Sequence, residues 1–395
     1  MAYSADRMGQ IAPFHVMKLL ARAKALEAQG KSIVHMEIGE PDFNTPKPII
    51  EAGMRALEQG LTHYTPALGL PVLRQAIADF YQSRYGVRID TDSVIVTPGA
   101  SGALQLVCGV LVNPGDEVMM TDPGYPCNRH FVQLMGGVPT FVELSEDNDF
   151  AFTLATLKQN WTSKTRAVLL ASPSNPTGML LDIAELDAIA AYLKEKNAYL
   201  ILDEIYHGLI YDADFPTFAG RHDNVFIINS FSKYFCMTGW RLGWLLSPKS
   251  FIADVDKLAQ NIFLAASTPA QYAALAAFEP ESITILESYR AEFKKRRDYL
   301  FDAVNDLGFK VISKPQGAFY LYADCEALVS RLADKRLKNS FGLAHDLLEN
   351  TGVAITPGVD FGRYRADRHV RFAYTTSLTY LEEGIARLRH YFAES

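Results

Sequence analysis

Between residues 93 and 247 the chain alternates short, almost wholly apolar runs with amphipathic stretches, and few folds accommodate that pattern. The runs are SVIVT (93–97), EVMMT (117–121), RAVLLA (166–171), AYLILD (198–203), VFIINS (225–230) and LGWLLS (242–247). Apolar runs of this length, bounded by turn residues, read as strands buried on both faces. Between several of them lie helical patterns, for example GALQLVCGVLV (102–112) and DIAELDAIAAYLKEK (182–196). Buried strands alternating with helices predict a largely parallel sheet covered on both faces, an α/β core. The stretch 281–307 has no breaker and predicts one long helix. After it come short strands (GAFYLYA, HVRFAYT) and two helices, an α+β texture. The expected organisation is a large domain over 46–284 and a smaller one made of 1–45 together with 285–395.

Composition narrows what such a chain can do. At 395 residues it is long enough to bury a sizeable core without a disulfide or metal staple. Its net charge of −7 argues against a nucleic-acid or polybasic membrane surface. The one basic run, Lys294–Arg297, lies between Glu292 and Asp298 in a helical pattern and reads as a solvated helix face. The four cysteines, Cys108, Cys127, Cys236 and Cys325, form no CxxC pair, which points to a reducing compartment. The nine histidines show no HExxH or zinc-ligand spacing, so no metal is expected. With no basic-then-apolar leader and no apolar stretch of about 18 residues, the expectation is a cytoplasmic protein.

In open α/β sheets ligands bind beyond the carboxyl ends of the strands, so the residues that follow each run matter most. After SVIVT comes Pro98-Gly99-Ala100-Ser101-Gly102, a small-residue loop opening a helix. Its exposed N–H groups and positive dipole end suit a phosphate, although a tight strand-to-helix turn without ligand has the same signature. EVMMT is followed by DPGYP, which puts the Tyr125 ring at the same edge, and RAVLLA by SPSNPTG, which presents the Asn175 amide on a proline-stiffened loop. AYLIL ends in Asp203, with Glu204 and Tyr206 beyond it; a carboxylate ending an apolar strand needs a partner, whether a loop N–H or a ligand. VFIIN leads to Ser230-Phe231-Ser232-Lys233, a lysine among aromatic residues whose pKa such surroundings would lower, as a Schiff-base amine requires. Taken together, a phosphate loop, a ring to stack on, an amide, a carboxylate, a tyrosine and a lysine are the set that pyridoxal phosphate asks of a protein.

These motifs give the chain a family likeness. EIGEPDF (37–43), YTPALGLPVLRQAIADFY (64–81), TPGASGAL (97–104), DPGYP (122–126), SPSNPTG (172–178), DEIY (203–206), SFSKYFCMTGWRLGW (230–244), PQGAFYLY (315–322), PGVDFG (357–362) and VRFAYT (370–375) resemble, in order, the class I/II aminotransferases of the fold type I pyridoxal-phosphate enzymes. The resemblance spans nearly the whole chain. It implies a mostly parallel seven-stranded sheet flanked by helices, plus a smaller α+β domain.

The resemblance also implies roles. Lys233 would bind the cofactor covalently and, once freed, carry the proton between the substrate Cα and the cofactor. Asp203 would pair with the pyridinium nitrogen, Asn175 and Tyr206 would hydrogen-bond the ring oxygen, and Tyr125 would stack on the ring. Ala100, Ser101, Ser230, Ser232 and Arg241 would hold the phosphate. Arg371, with Gly39 and Asn175 beside it, would clamp the substrate carboxylate in a guanidinium fork. Tyr64 would reach the phosphate of a neighbouring subunit, making a homodimer with shared sites. His207 reads as a packed histidine, and IAPFHVM (11–17) as a mainly apolar pocket wall. The expected function is transfer of an α-amino group to a 2-oxo acid, 2-oxoglutarate foremost, by a ping-pong exchange. A carbon–sulfur lyase is the alternative on the same scaffold, although Arg241 favours transfer. A cofactor-binding sensor would carry a helix-turn-helix domain, for which the short stretch before EIGEP leaves no room.

Overall fold

The structure is a computed structural model describing residues 4–11, 15–212, 215–332 and 337–394. A short strand β1 (Val34–His35) precedes the seven that build the main sheet: β2 (Val94–Thr97), β3 (Glu117–Asp122), β4 (Val138–Glu143), β5 (Thr165–Ala171), β6 (Tyr199–Asp203), β7 (Val225–Ser230) and β8 (Gly243–Leu246). Their order is β2-β8-β7-β6-β5-β3-β4, parallel throughout except for β8, which runs against both its neighbours. This is the α/β fold the apolar runs predict. Alternation within each run feeds two cores. Val94, Val96, Leu200 and Leu202 face one side, and Ile95 and Ile201 face helix Gly99–Leu111 on the other.

The sequence reading missed β4. It is one of the sheet's two edge strands, and unlike β2 at the other edge most of its side chains are at least partly exposed, so it lacks the continuous apolar run by which the others are recognised.

The long helix runs from Pro280 to Asp306, and beyond it lie β9 (Tyr320–Asp324), β10 (Val353–Ala354), β11 (Thr356–Pro357) and β12 (His369–Ala373). Strands β11, β12 and β9 form an antiparallel sheet. Three helices accompany them, Glu326–Arg331, Ser340–Thr351 and Leu378–Ala393, one more than expected; the extra one is a six-residue piece too short to show a period. The N-terminal segment joins this part of the molecule. Strand β1 pairs in parallel with β10, and Leu19, Ala23 and Leu26 of helix His15–Glu27 pack on Leu348 and Ala354.

The basic run is a solvated face only in part: Lys295 is exposed and Lys294 partly so, but the two arginines are not. Arg296 and Arg297 are buried (3% and 2% exposed). Arg296 donates to Asp42 at 2.7 Å and to the Thr375 carbonyl at 2.9 Å, and Arg297 donates to the Pro315 carbonyl at 2.9 Å and pairs with Asp212 and Asp298. The face carrying these arginines meets carbonyls and carboxylates of other segments rather than water. No helix among the described residues is long and apolar enough to cross a membrane.

Candidate active site

The carboxyl ends of β5, β6 and β7 open into a cavity of about 790 Å³, closed from the other side by β12, the EIGEP segment and helix His15–Glu27. Of the residues to which the resemblance gives a role in binding or catalysis, all but Tyr64 line it. Tyr64 sits between two helices, 84% exposed, away from the cavity of its own chain.

Each strand end delivers its side chain for a local reason. Asp203 is the last residue of β6. Its Oδ1 accepts the Ile205 N–H at 3.0 Å and it makes no hydrogen bond to a side chain, so burial lifts its pKa to about 7. The neighbouring Glu204 points elsewhere: it accepts the Thr217 hydroxyl at 2.6 Å and the Phe218 N–H at 2.7 Å, and it is a structural carboxylate. Lys233 follows β7. Burial lowers its pKa to about 8, as its apolar setting leads one to expect, and its Nζ donates to the Gly39 carbonyl at 2.7 Å.

At the far end of the cavity the loop after β2 enters helix Gly99–Leu111, whose first turn carries Ala100 and Ser101. Gly99 has φ +68°, and a Cβ on it would lie 2.8 Å from Nη2 of Arg241, so only glycine lets the guanidinium come this close. Ser230 Oγ donates to Ser232 Oγ at 2.9 Å beside them. Two hydroxyls, a guanidinium and a helix N-terminus thus converge on one corner, an anion-binding arrangement.

Arg371, on β12, lies across the cavity. Nη1 donates to Asn175 Oδ1 at 3.0 Å and Nη2 to the Glu37 carbonyl at 2.6 Å, while its buried Nε has no partner. The guanidinium is sandwiched between Tyr320 and Phe361, 4.2 and 4.6 Å from the ring centroids. Tyr320 was not singled out from the sequence, although it lies in PQGAFYLY. Its hydroxyl is 2.8 Å from that of Tyr206, and a Cβ on Gly39 would fall 1.9 Å from its oxygen. Gly39 is therefore kept small by Tyr320, and the period-2 pattern of β9 is the only sequence signal for that contact. Val16, Met17 and Leu20 of the N-terminal helix also line the cavity. Of the expected wall 11–17, residues 12–14 lie outside the described residues. His207 is buried against Tyr85 and does not line the cavity.

Such a site can hold a phosphate at one corner and a carboxylate at the other, with an amine of lowered pKa and a proton-holding carboxylate between them. The sequence pattern described as aminotransferase class I and II matches residues 31–388. The chain is 37% identical to the (5-formylfuran-3-yl)methyl phosphate transaminase of Methanocaldococcus jannaschii, over 96% of each chain. It is 35% identical to the valine–pyruvate aminotransferase of Mycobacterium tuberculosis, again over 96% of each. A crystal structure of an aminotransferase from Mycobacterium tuberculosis superposes with a TM-score of 0.93 at 34% identity, covering 100% of both chains.

Proposed function

The chain belongs to the class I and II aminotransferases, and on that footing we propose that it moves the α-amino group of an amino acid to a 2-oxo acid with pyridoxal phosphate bound in the cavity. The observation that carries this reading is the meeting of Lys233, Asp203 and Arg371 in one cavity, with an anion corner at its far end. The donor set fits that cofactor. Among the described residues the Arg241 guanidinium has only the Thr238 carbonyl as a hydrogen-bond partner, which leaves most of it free for a phosphate. Asp203 is a buried carboxylate without a cation bonded to it, as an acid holding a proton on a ring nitrogen needs to be. When bound, pyridoxal phosphate supplies a carbonyl that takes up amino groups and a ring that accepts electrons.

The protein's own residues do the rest. Arg371 holds the substrate carboxylate, and its unpartnered Nε and the flanking rings favour a planar anion. Lys233 holds the cofactor and then, as a free amine with a pKa near 8, takes the proton from the substrate Cα and returns it on the other side of the exchange. Asp203 keeps its proton on the ring nitrogen through both halves. Tyr206, its phenol kept protonated by burial, donates toward the ring oxygen together with Asn175, and Tyr125 stacks. Ala100, Ser101, Ser230, Ser232 and Arg241 take the phosphate. The two halves share one site, so the kinetics are ping-pong. The acceptor is a 2-oxo acid, 2-oxoglutarate by the resemblance, with pyruvate as the alternative. The relatives named above are transaminases, which does not favour the lyase reading.

We further propose a cytoplasmic homodimer. The four free cysteines fit a reducing compartment. Tyr64, Met54, Leu57 and Val72 are apolar side chains each more than half exposed, the kind of surface that subunits cover. The test of the function is chemical. Borohydride reduction of the loaded enzyme should fix the cofactor on the peptide containing Lys233, and Lys233→Ala should abolish transfer. Labelling of another lysine sinks the assignment.

A further inference from the structure

The charges around the cavity are few, and each is already spoken for. Among the described residues the cations that line it are Lys233, Arg241 and Arg371. On the function proposed above, on which this inference rests, the first holds the cofactor, the second its phosphate and the third the substrate α-carboxylate. Among the described residues, no cation lining the cavity is left for a second carboxylate. The wall contributed by helix His15–Glu27 is instead apolar, made of Val16, Met17 and Leu20, with Ile38 beside it. Met17 is 55% exposed, although it lies next to Val16 in the core, so an apolar side chain entering the cavity has a methionine surface to cover. Glu40, whose carboxylate accepts the Thr238 hydroxyl at 2.5 Å, also lines the cavity, but on the side of Thr238 and Arg241 rather than at this wall.

We infer that the substrates are amino acids and oxo acids with a single carboxylate and an apolar or aromatic side chain, received by Val16, Met17, Leu20 and Ile38. A dicarboxylate would have to leave its second carboxylate unpaired against this wall, and removing a charge from water without a partner is strongly disfavoured. Applied to the acceptor, the same argument points to pyruvate, against the 2-oxoglutarate that the resemblance implies.

The experiment has three parts. In the first, loaded enzyme meets one amino donor at a time with no acceptor, and the loss of the cofactor's visible absorbance is followed. Leucine, methionine and phenylalanine should react with kcat/KM at least about a hundredfold above aspartate and glutamate. The second part needs no turnover: 3-phenylpropionate should raise the Tm of the loaded enzyme and succinate should not. The third is Met17→Arg, a change at an exposed position, which should raise the aspartate rate severalfold and lower the phenylalanine rate. Aspartate or glutamate reacting as well as the apolar donors, or succinate stabilising as well as 3-phenylpropionate, overturns the substrate class while leaving amino transfer standing. Cofactor fixed on Lys233 but unchanged by any α-amino acid overturns amino transfer itself, and the substrate class with it.

Discussion

Asp203 and Glu204 are adjacent, both buried and both acidic, yet their surroundings give them opposite characters. Glu204 is satisfied by Thr217 and Phe218, whereas Asp203 has a single N–H and a pKa near 7. A carboxyl whose folded pKa is raised keeps its stabilising effect below the unfolded value of about 4 and loses it as the pH rises through 7. In the protein without cofactor, Asp203→Asn should therefore match the parent's stability near pH 4. It should then become progressively more stable than the parent up to pH 7 and level off above it, by roughly 4 kcal/mol at most. Urea melts across that range check this; a flat difference would mean that Asp203 is ionised in the fold. With cofactor, the same substitution should slow Cα proton removal far more than Glu204→Gln does. Arg371→Lys keeps the charge but loses the fork. It should cost about 2–5 kcal/mol in kcat/KM, roughly 30- to several-thousand-fold, for every α-amino acid. Amines lacking the carboxylate should hardly notice; a loss confined to one side-chain class would move Arg371 to the other end of the pocket.

At the scale of elements, helix His15–Glu27 is held over the cavity by a carboxylate at its start. Asp360, from PGVDFG, accepts the His15 N–H at 2.8 Å and the Val16 N–H at 2.7 Å, one on each oxygen, satisfying two donors the first turn leaves open. Farther along, Arg22 pairs with Glu349 through both ends of its fork, and His35 bridges Glu27 and Glu37, which push its pKa up to about 9. Asp360→Ala should loosen the start of the helix and with it the apolar wall. The KM for apolar donors should then rise about tenfold, the loss of one charged hydrogen bond, with kcat changed much less. An unaltered KM would show that the wall keeps its place without this cap. These ties also mark where sequence reading stops. The strand ends were legible because an apolar run announces its own last residue, and so Asp203, Lys233 and Ser230 could be placed at one edge. Asp360, Tyr320 and the N-terminal wall reach the site through contacts spanning hundreds of residues, which no local pattern encodes. Arg296 and Arg297 were misread for the same reason, since a run of charge does not reveal what packs against it.

For the molecule as a whole, the open question is Tyr64. It stands clear of its own cavity and is largely exposed, which is what a residue serving a second subunit requires. Mixing Tyr64→Ala chains with Lys233→Ala chains tests this. In the mixed dimer one site combines the intact Lys233 of the first chain with the intact Tyr64 of the second, and the other site carries both defects. Activity at limiting cofactor should rise above that of either homodimer; no recovery, with subunit exchange confirmed by mass, would return Tyr64 to its own chain. The pairing of β1 with β10 has a different consequence, one that concerns birth rather than catalysis. Val34 meets Val353 across that pairing, and the Gly39 carbonyl and Arg371 face the same cavity from opposite ends of the chain. At about 5–20 residues per second on the ribosome, the N-terminal strand waits roughly 15–60 s for its partner to be made. During that interval the main sheet can form, but half of the cavity wall does not yet exist. On the function proposed above, cofactor capture is therefore an event of the finished polypeptide, and until then the apolar faces of Val34 and Met36 are ones the nascent chain must keep from other company.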